Sequence, residues 1–460
     1  MKSPLYTLSL LLSIYLTGPS VAFGQISLDE AVNTALENHS QLKIAKTDIA
    51  IAQAQLIDAG KMENPVFEFA VQSQTADGPD REGSVFMGYS QIFPVTDKLR
   101  RQRDLGISRV RLACAEVRDV ERRFIAQVLQ HYIDAVGAKE LANEFVRLEN
   151  ETNRSIDLAK KQLANALGSE LEVASAETEK LLVQQMRRSA EADYEVALAE
   201  LRPYLNMEPG TPLNPTQRLD SIIAQLKPTI QRSRPSGFER PDIIAAQARI
   251  TYHQTDKEMA RAEAVEDWEI SAGYESVRSV DEPIGAERDL FLGIGLKIPL
   301  PVRKKGLGRI AEASANAEKA KYQLASTQIT ASGEIGTRTA EVESADIALI
   351  SLRNRVLPQL EDREAKTLKG YEQGLLNFSQ VIILQQQQSR TREAITKAKL
   401  AKATAMARLQ EALGSNPKLK VFDSAACQPC IQTVEEPEVT QSIPVKESGN
   451  HPRKKRFFRR

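Results

Sequence analysis

Apolar and small residues recur every three or four positions in two parts of the chain. The two series are Leu42, Ala45, Ile49, Ala52, Leu56 and Ala59, and Ile310, Ala313, Ala317, Ala320, Leu324, Thr327 and Ala331. This spacing predicts amphipathic helices that pack along a heptad seam. Because both seams are rich in alanine, the backbones of neighbouring helices can approach each other closely.

Proline is absent between Thr96 and Ala166, which predicts one very long helix. A helix of about 70 residues spans roughly 105 Å, far more than a compact domain needs. A matching helix is predicted from Arg303 to about Lys369, with a kink or break at Pro358.

Both long helices are predicted to reverse at turns that contain glycine. Gly168, Gly370 and Gly374 are typical of helix ends and turns. Ser169 and Asn377 are suitable N-caps for the returning helices. Each long helix and its partner therefore form an antiparallel hairpin.

Four short segments alternate between apolar and polar positions. They lie at 67–72, 85–93, 268–276 and 289–299. Two aromatic residues, Phe86 and Phe291, break the alternation. Strands of about ten residues with one apolar and one polar face are typical of membrane β-barrels. An amphipathic sheet in a soluble protein has the same pattern and remains an alternative.

The second half of the chain repeats the order of the first half. Leu42 matches Ile243 at an offset of 201 residues, and Phe86 matches Phe291 at an offset of 205. The slow drift of the offset is typical of a duplication with small loop insertions. We therefore divide the chain into a first repeat at 25–205, a linking segment at 206–239 and a second repeat at 240–415.

The two ends of the chain have a different composition. Lys2 precedes an apolar run at 5–16, and small residues at Ala22 and Gly24 precede Gln25, which predicts a secretory signal peptide at 1–24. No apolar run of 18 residues follows, so the mature chain either stays in the periplasm or enters a membrane as β-strands. A tail at 416–460 lacks periodicity and is predicted to be disordered.

The number of strands carries a prediction about assembly. Two repeats supply four strands, too few to close a barrel with a lipid-facing and a lumen-facing side. Open strand edges are not tolerated in lipid. The predicted fold class is therefore mainly α with a small membrane β part. It comprises duplicated helical hairpins forming an α-barrel and four β-strands per chain, and a trimer would form a 12-stranded β-barrel.

Charge and candidate chemistry indicate no enzyme and no cofactor. The 61 basic and 61 acidic residues balance, which gives no indication of nucleic-acid binding. The sequence has no phosphate-binding loop and no nucleophile with a matching base. Cys427 and Cys430 form a lone CxxC, which is half a zinc site at best or a local disulfide. No metal site is predicted.

The ordered elements resemble the TolC family of outer-membrane efflux proteins over nearly all of 27–415. The sequence SLDEAV at 27–32 is similar to the family's opening helix, and SQIFP at 90–94 is similar to its strand-to-helix corner. The sequences IPLP at 298–301 and GYEQG at 370–374 resemble the cobalt–zinc–cadmium resistance (CzcC-like) branch.

The resemblance implies a passive outer-membrane duct with a long periplasmic extension. The implied partners are two further copies of the chain, outer-membrane lipid, a periplasmic adaptor (membrane fusion) protein and an inner-membrane RND pump. The implied adaptor contacts are the hairpin tips, Ala166, Leu167, Gly168, Ser169, Gly374, Leu375 and Leu376. Ordinary turn chemistry is the alternative for these residues.

Glu170 and Glu172 stand beside the first tip. Three copies of them would form a ring that attracts cations, whereas solvated glutamates on a helix face are the alternative. The branch resemblance implies export of divalent heavy-metal cations. A duct for drug efflux or type I protein secretion is a second interpretation. A periplasmic coiled-coil scaffold or adaptor is an alternative from another class.

Overall fold

The computed structural model describes residues 24–73, 82–232, 240–281, 285–300 and 305–414. All of them belong to one unit, which is mainly helical. The signal peptide predicted at 1–24, apart from Gly24 itself, lies outside these residues, and so do the Cys427–Cys430 pair and the tail at 416–460.

The described elements follow the same order twice. The first half contains β1 (Gln25–Ile26), α1 (Leu28–Asn38), α2 (Ser40–Asp58), β2 (Val66–Ser73), β3 (Gly83–Phe93), α3 (Lys98–Ala164) and α4 (Glu170–Tyr204). Two elements lie between the halves, β4 (Asn214–Pro215) and α5 (Leu219–Arg232). The second half contains α6 (Pro241–Glu263), β5 (Trp268–Asp281), β6 (Gly285–Lys297), α7 (Leu307–Ser351), α8 (Leu357–Glu372) and α9 (Phe378–Leu413).

Helix α3 is the long helix predicted between Thr96 and Ala166. Its 67 residues extend roughly 100 Å. Its middle part forms the main apolar core with α1, α5 and the end of α9, and Val128, Tyr132 and Val136 are fully buried there. Within the described ranges, no helix is both long and apolar enough to cross a membrane.

Both predicted heptad seams are confirmed as packed faces. Leu42, Ile49 and Ala52 are buried on α2. Ala313 and Ala320 are buried on α7, and the remaining seam residues are buried or half-buried. The spacing of apolar and small residues every three or four positions was therefore sufficient to predict which face of each helix is packed.

The break predicted at Pro358 takes the form of a π-helical segment at Leu352–Val356, directly before α8. Proline has no N–H to donate to the carbonyl four residues back, and its ring crowds that carbonyl. The backbone N–H of Leu357 instead bonds to the carbonyl of Leu352, five residues earlier. This turn therefore contains one residue more than a turn of α-helix.

The segment between the two halves is part of the core. Strand β4 pairs in parallel with β1, and Asn214 lies opposite Gln25. Helix α5 buries Leu219, Ile222 and Leu226 in the main core. Tyr132 donates a hydrogen bond of 2.9 Å to the carbonyl of Ile26 and so ties β1 to α3.

Candidate functional site: the hairpin tips and the β-sheet

The first hairpin tip closes with a hydrogen-bond pattern that ends many helices. The N–H of Leu167 bonds to the carbonyl of Gln162 at 2.9 Å, and the N–H of Ala166 bonds to the carbonyl of Leu163 at 3.0 Å. This is a Schellman motif, and its left-handed residue is Ala166, with φ of 58°. Leu167, in the turn itself, is exposed.

The second tip has the same motif at the matching place. The N–H of Leu375 bonds to the carbonyl of Gly370 at 2.8 Å, and the N–H of Gly374 bonds to the carbonyl of Tyr371 at 3.0 Å. Gly374 takes the left-handed conformation, with φ of 71°. Leu375 is exposed, whereas Leu376 folds back over Gly370.

Gly168 lies in the first turn, as predicted. It does not occupy the left-handed position of the tip, because α3 ends at Ala164 and that position falls on Ala166. Gly168 has another role. A Cβ at this residue would lie 3.1 Å from the backbone nitrogen of Leu163, so glycine permits the close approach of the two chain segments.

The predicted N-caps differ in their hydrogen bonds. Ser169 and Glu172 form a complete capping box at the start of α4, in which the hydroxyl of Ser169 accepts from the N–H of Glu172 at 3.3 Å. Asn377 occupies the N-cap position of α9 but makes no side-chain capping bond. Glu172 is thus committed to local contacts, while Glu170 is exposed. Their role in a charge ring remains a prediction.

The two tips pack against each other through a small core. It consists of Ile156, Ala159, Ala176, Tyr371, Phe378 and Val381. The amide of Gln162 donates to the carbonyl of Glu372 at 3.2 Å, and Arg392 on α9 bonds to Glu151 on α3 at 2.8 Å. The two hairpins are therefore joined near their tips by both apolar and polar contacts.

The four longer strands form one antiparallel sheet in the order β2-β3-β5-β6. The pairing of β3 with β5 joins the two halves of the chain, and Gly88 lies opposite Gly273. Strands β2 and β6 are the edges within the described chain. The sequence predicted all four strands, but β5 and β6 extend farther than expected.

One face of this sheet is apolar and exposed. Its side chains are Phe67, Phe69, Val71, Met87, Tyr89, Phe93, Trp268, Ile270, Tyr274, Leu290, Leu292, Ile294 and Leu296. Leu292 and Ile294 are 87% and 89% exposed. Gln91 and Ser276 also lie on this face, but most of its side chains are apolar. An exposed and mostly apolar face of this kind marks a surface that contacts lipid or another apolar partner.

The opposite face is polar and rich in glycine. Gly88, Gly273 and Gly293 lie in one row across β3, β5 and β6. The ring of Phe86 covers this row, because a Cβ at Gly88 would lie 2.7 Å from its Cε1 and a Cβ at Gly273 would lie 2.9 Å from its Cε2. Phe86, which breaks the alternation of apolar and polar residues in β3, thus fills the space above glycines on the polar face.

The described residues contain no group of three or more His, Cys, Asp or Glu side chains placed to hold a metal ion. The polar face does carry an ion pair, since Lys297 bonds to Glu269 at 3.1 Å. The face is therefore suited to water and dissolved ions.

Several solved structures have a similar fold. CusC, studied for transmembrane channel formation, is 16% identical, with a TM-score of 0.67 over 85% of this chain and 92% of that chain. The outer-membrane channel OprN is 16% identical, with a TM-score of 0.64 over 85% and 90% of the two chains. The protein has the fold of outer-membrane channels.

Other matches to this outer-membrane channel fold agree. The outer membrane protein VceC from Vibrio cholerae is 16% identical, with a TM-score of 0.63 over 85% of this chain and 96% of that chain. CusC and OprN are channel proteins and not enzymes. No protein-family model matches the sequence, and no curated protein matches it.

Two features of the site were not recognised from the sequence. The capping box at Ser169 and Glu172 was missed, although the spacing of serine and glutamate signals it. The contact between Tyr371 and Glu172 was also missed, because no local pattern indicates a pair 199 positions apart. Phe86 and Phe291 did give a signal, since both break the strand alternation.

Proposed function

We propose that this chain is one protomer of a homotrimeric outer-membrane channel of the TolC family. It acts as the passive duct of a tripartite efflux system. The observation that carries the proposal is the fold similarity to outer-membrane channels over 85% of the chain. Energy for transport would come from an inner-membrane RND pump, and a periplasmic adaptor would connect the pump to the exposed hairpin tips.

The sheet supports insertion in the outer membrane. Its exposed apolar face matches the lipid-facing side of a barrel strand, and its polar face matches a water-filled lumen. Edge strands β2 and β6 leave unpaired backbone groups, which lipid does not tolerate. Pairing of β6 with β2 of the next copy would satisfy both edges and give the predicted 12-stranded barrel.

Exposed apolar stripes on the helices support a trimer. Ile44 and Ile51 lie one heptad apart on α2, and Tyr322 and Ile329 lie one heptad apart on α7; all four are exposed in the single chain. These stripes point away from the seams that pack within the protomer. Contact with a second copy would remove them from water.

The proposed cargo is a divalent heavy-metal cation. This part of the proposal rests on the sequence resemblance to the CzcC-like branch. The metal would be passing cargo rather than a bound cofactor, with selectivity set by the pump. Drug efflux and type I protein secretion use the same fold and remain the competing interpretations.

Membrane extraction tests the channel against the periplasmic scaffold. We expect the full-length protein to stay in the outer membrane after carbonate treatment and to conduct ions in a planar lipid bilayer. Leu292→Arg places a charge on the lipid face at a cost of about 2–4 kcal/mol and should reduce the membrane-inserted fraction. Asp289→Arg, on the polar face of the same strand, is the matched control. Release of the unmodified protein by carbonate would support the scaffold instead.

Metal tolerance tests the cargo. In a host that carries the partner genes, deletion of the channel gene should lower tolerance to zinc, cobalt or cadmium, and the intact gene should restore it. Unchanged tolerance to every metal would contradict metal export. Lowered tolerance to drugs alone would favour the drug duct.

A further inference from the structure

Phe86, Glu275 and Phe291 lie side by side on the polar face of the sheet. The strand register places Glu275 of β5 opposite Phe86 of β3 and opposite Phe291 of β6. Directly paired residues share one face, and their Cβ atoms lie about 4.5–5.5 Å apart. The carboxylate of Glu275 is therefore flanked by two aromatic side chains. All three residues line a cavity of about 480 Å³ on this face.

Glycines provide the space of this cavity. Gly273 and Gly293, next to the aromatic row, also line it, and a Cβ at Gly293 would meet nothing within 4 Å. The ring of Phe86 rests over Gly88 and Gly273, which holds it against the sheet. The floor of the cavity is therefore formed by backbone at Gly293 and by the ring of Phe86 over Gly88 and Gly273, and Phe291 lines the cavity beside Glu275.

The charge of the cavity favours cations. Glu269 is neutralised by Lys297. In the part of the chain that the structure describes, Glu275 and the nearby Glu68 each make no ion pair. An aromatic face attracts a cation through its quadrupole, and a neighbouring carboxylate adds a full negative charge. A compact metal ion prefers several oxygen ligands, whereas a bulky organic cation fits one carboxylate between two rings.

We propose that Phe86, Glu275 and Phe291 form a binding site for organic cations, with quaternary ammonium ions as the chemical class. The site lies within one chain, so binding requires only this sheet. The position of the site along a transport route rests on the proposed function.

Calorimetric titration of the full-length protein in a non-ionic detergent tests this site. The probe is benzyltrimethylammonium chloride, and sodium benzenesulfonate is the aromatic anion of similar size. We expect saturable binding of the cation at one site per chain and no binding of the anion. Phe86→Leu, Phe291→Leu and Glu275→Gln should each weaken cation binding by about fivefold.

Two matched variants control for indirect effects. Phe69→Leu removes a ring from the opposite face of the same sheet, and Glu266→Gln removes an exposed carboxylate outside it; neither should change the affinity. Circular dichroism verifies that every variant is folded. Absence of saturable cation binding, equal binding of the anion, or unchanged affinity in all three site variants would overturn the inference.

Conductance of the same preparation separates this inference from the proposed function. A protein that conducts ions but does not bind the cation would contradict only the binding site. A protein that binds the cation but never conducts would contradict the channel and leave the site intact.

Discussion

The phenol of Tyr371 donates a hydrogen bond of 3.4 Å to the carboxylate of Glu172. Tyr371 lies in the last turn of α8, and Glu172 lies in the first turn of α4. The same carboxylate also accepts a hydrogen bond from the backbone N–H of Ser169. One side chain therefore caps the returning helix of the first hairpin and holds the second hairpin against it.

This contact predicts a distinct alkaline titration. Burial, followed by the adjacent Glu172 carboxylate, raises the pKa of Tyr371 to about 12. The unfolded value is near 10, so the folded state holds this proton more tightly. The stability contributed by Tyr371 is therefore present below about pH 10 and is lost as the pH rises through about 12. Ultraviolet titration of the phenols should show one fewer late-ionising tyrosine in Tyr371→Phe.

Burial also raises the pKa of Tyr132 to about 12, and burial raises the pKa of Tyr194, so these two phenols should still ionise late in Tyr371→Phe. If Tyr371→Phe instead removed a phenol that ionises near pH 10, the described contact would be wrong.

The two tips predict opposite effects of exchanging alanine and glycine. Ala166 and Gly374 occupy the same left-handed position of the two Schellman motifs. A residue with a Cβ is strained by about 1–2 kcal/mol in the left-handed conformation, and glycine avoids this strain. Glycine also loses more conformational entropy on folding, which offsets part of that advantage. We expect Ala166→Gly to stabilise the first tip and Gly374→Ala to destabilise the second by up to about 1 kcal/mol. Hydrogen exchange at Leu167 and Leu375 measures both changes.

Ala164→Gly is the control for the first tip, since Ala164 lies in α3 with a right-handed conformation. It should destabilise the tip by about 1 kcal/mol. Faster exchange at Leu167 in Ala166→Gly would show that the left-handed strain does not limit this turn.

The sequence was sufficient to predict features that depend on short-range periodicity. The seam that contains Ala313 and Ala320 has a small or apolar residue every three or four positions, so the buried face of the helix can be predicted from neighbouring residues alone. The strand faces around Leu292 alternate in the same local way. The duplication then placed equivalent elements in both halves.

Features that depend on distant pairs or on the exact end of a helix could not be predicted. Tyr371 and Glu172 meet only because two hairpins pack side by side. The left-handed conformation falls on Ala166, because α3 ends at Ala164 and the Schellman motif places that conformation two residues later. The presence of Gly168 in the turn did not indicate this position. Arg240, which precedes a proline, gave no sign of the buried ion network that it forms.

Substitution of Arg240 by an uncharged residue should cause a large loss in the free energy of unfolding. Its guanidinium makes two hydrogen bonds to Asp242, of 3.0 and 2.7 Å, one of 2.9 Å to Glu334 and one of 3.0 Å to the carbonyl of Ala412. The side chain is only 3% exposed. Arg240→Met leaves the Asp242 carboxylate without this partner, and we expect a loss of about 3–5 kcal/mol in the free energy of unfolding. Chemical denaturation measures it.

The same network predicts a dependence on acid. Burial favours the neutral form of Asp242, but the hydrogen bonds and charge of Arg240 outweigh it and lower the pKa of Asp242. The stability that this pair contributes is present above the unfolded value of 3.8 and is lost as the pH falls through the lower folded value. The difference between the native protein and Arg240→Met should shrink in that acidic range.

Arg261→Met is the matched control for the network. Arg261 pairs with Glu258 at 2.9 Å, and the two side chains are 53% and 41% exposed. Water therefore screens the pair, and the loss should stay below about 1 kcal/mol. Equal losses for the two variants would show that burial does not set the strength of the Arg240 network.

The exposed stripe on α7 predicts a loss of assembly. Tyr322 and Ile329 are 76% and 73% exposed in the single chain, and they lie one heptad apart. Burial of one such side chain at an interface contributes about 2 kcal/mol. In the proposed trimer, in which three copies would bury the stripe together, Ile329→Glu would add an unpaired charge at every interface.

We expect the unmodified protein to run as a heat-sensitive trimer in mild detergent and Ile329→Glu to dissociate, as measured by light scattering. Gln328→Glu adds the same charge to the neighbouring polar position and should leave the trimer intact. A trimer that survives Ile329→Glu would place the contact between copies on another face, and a monomeric unmodified protein would contradict the shared barrel itself.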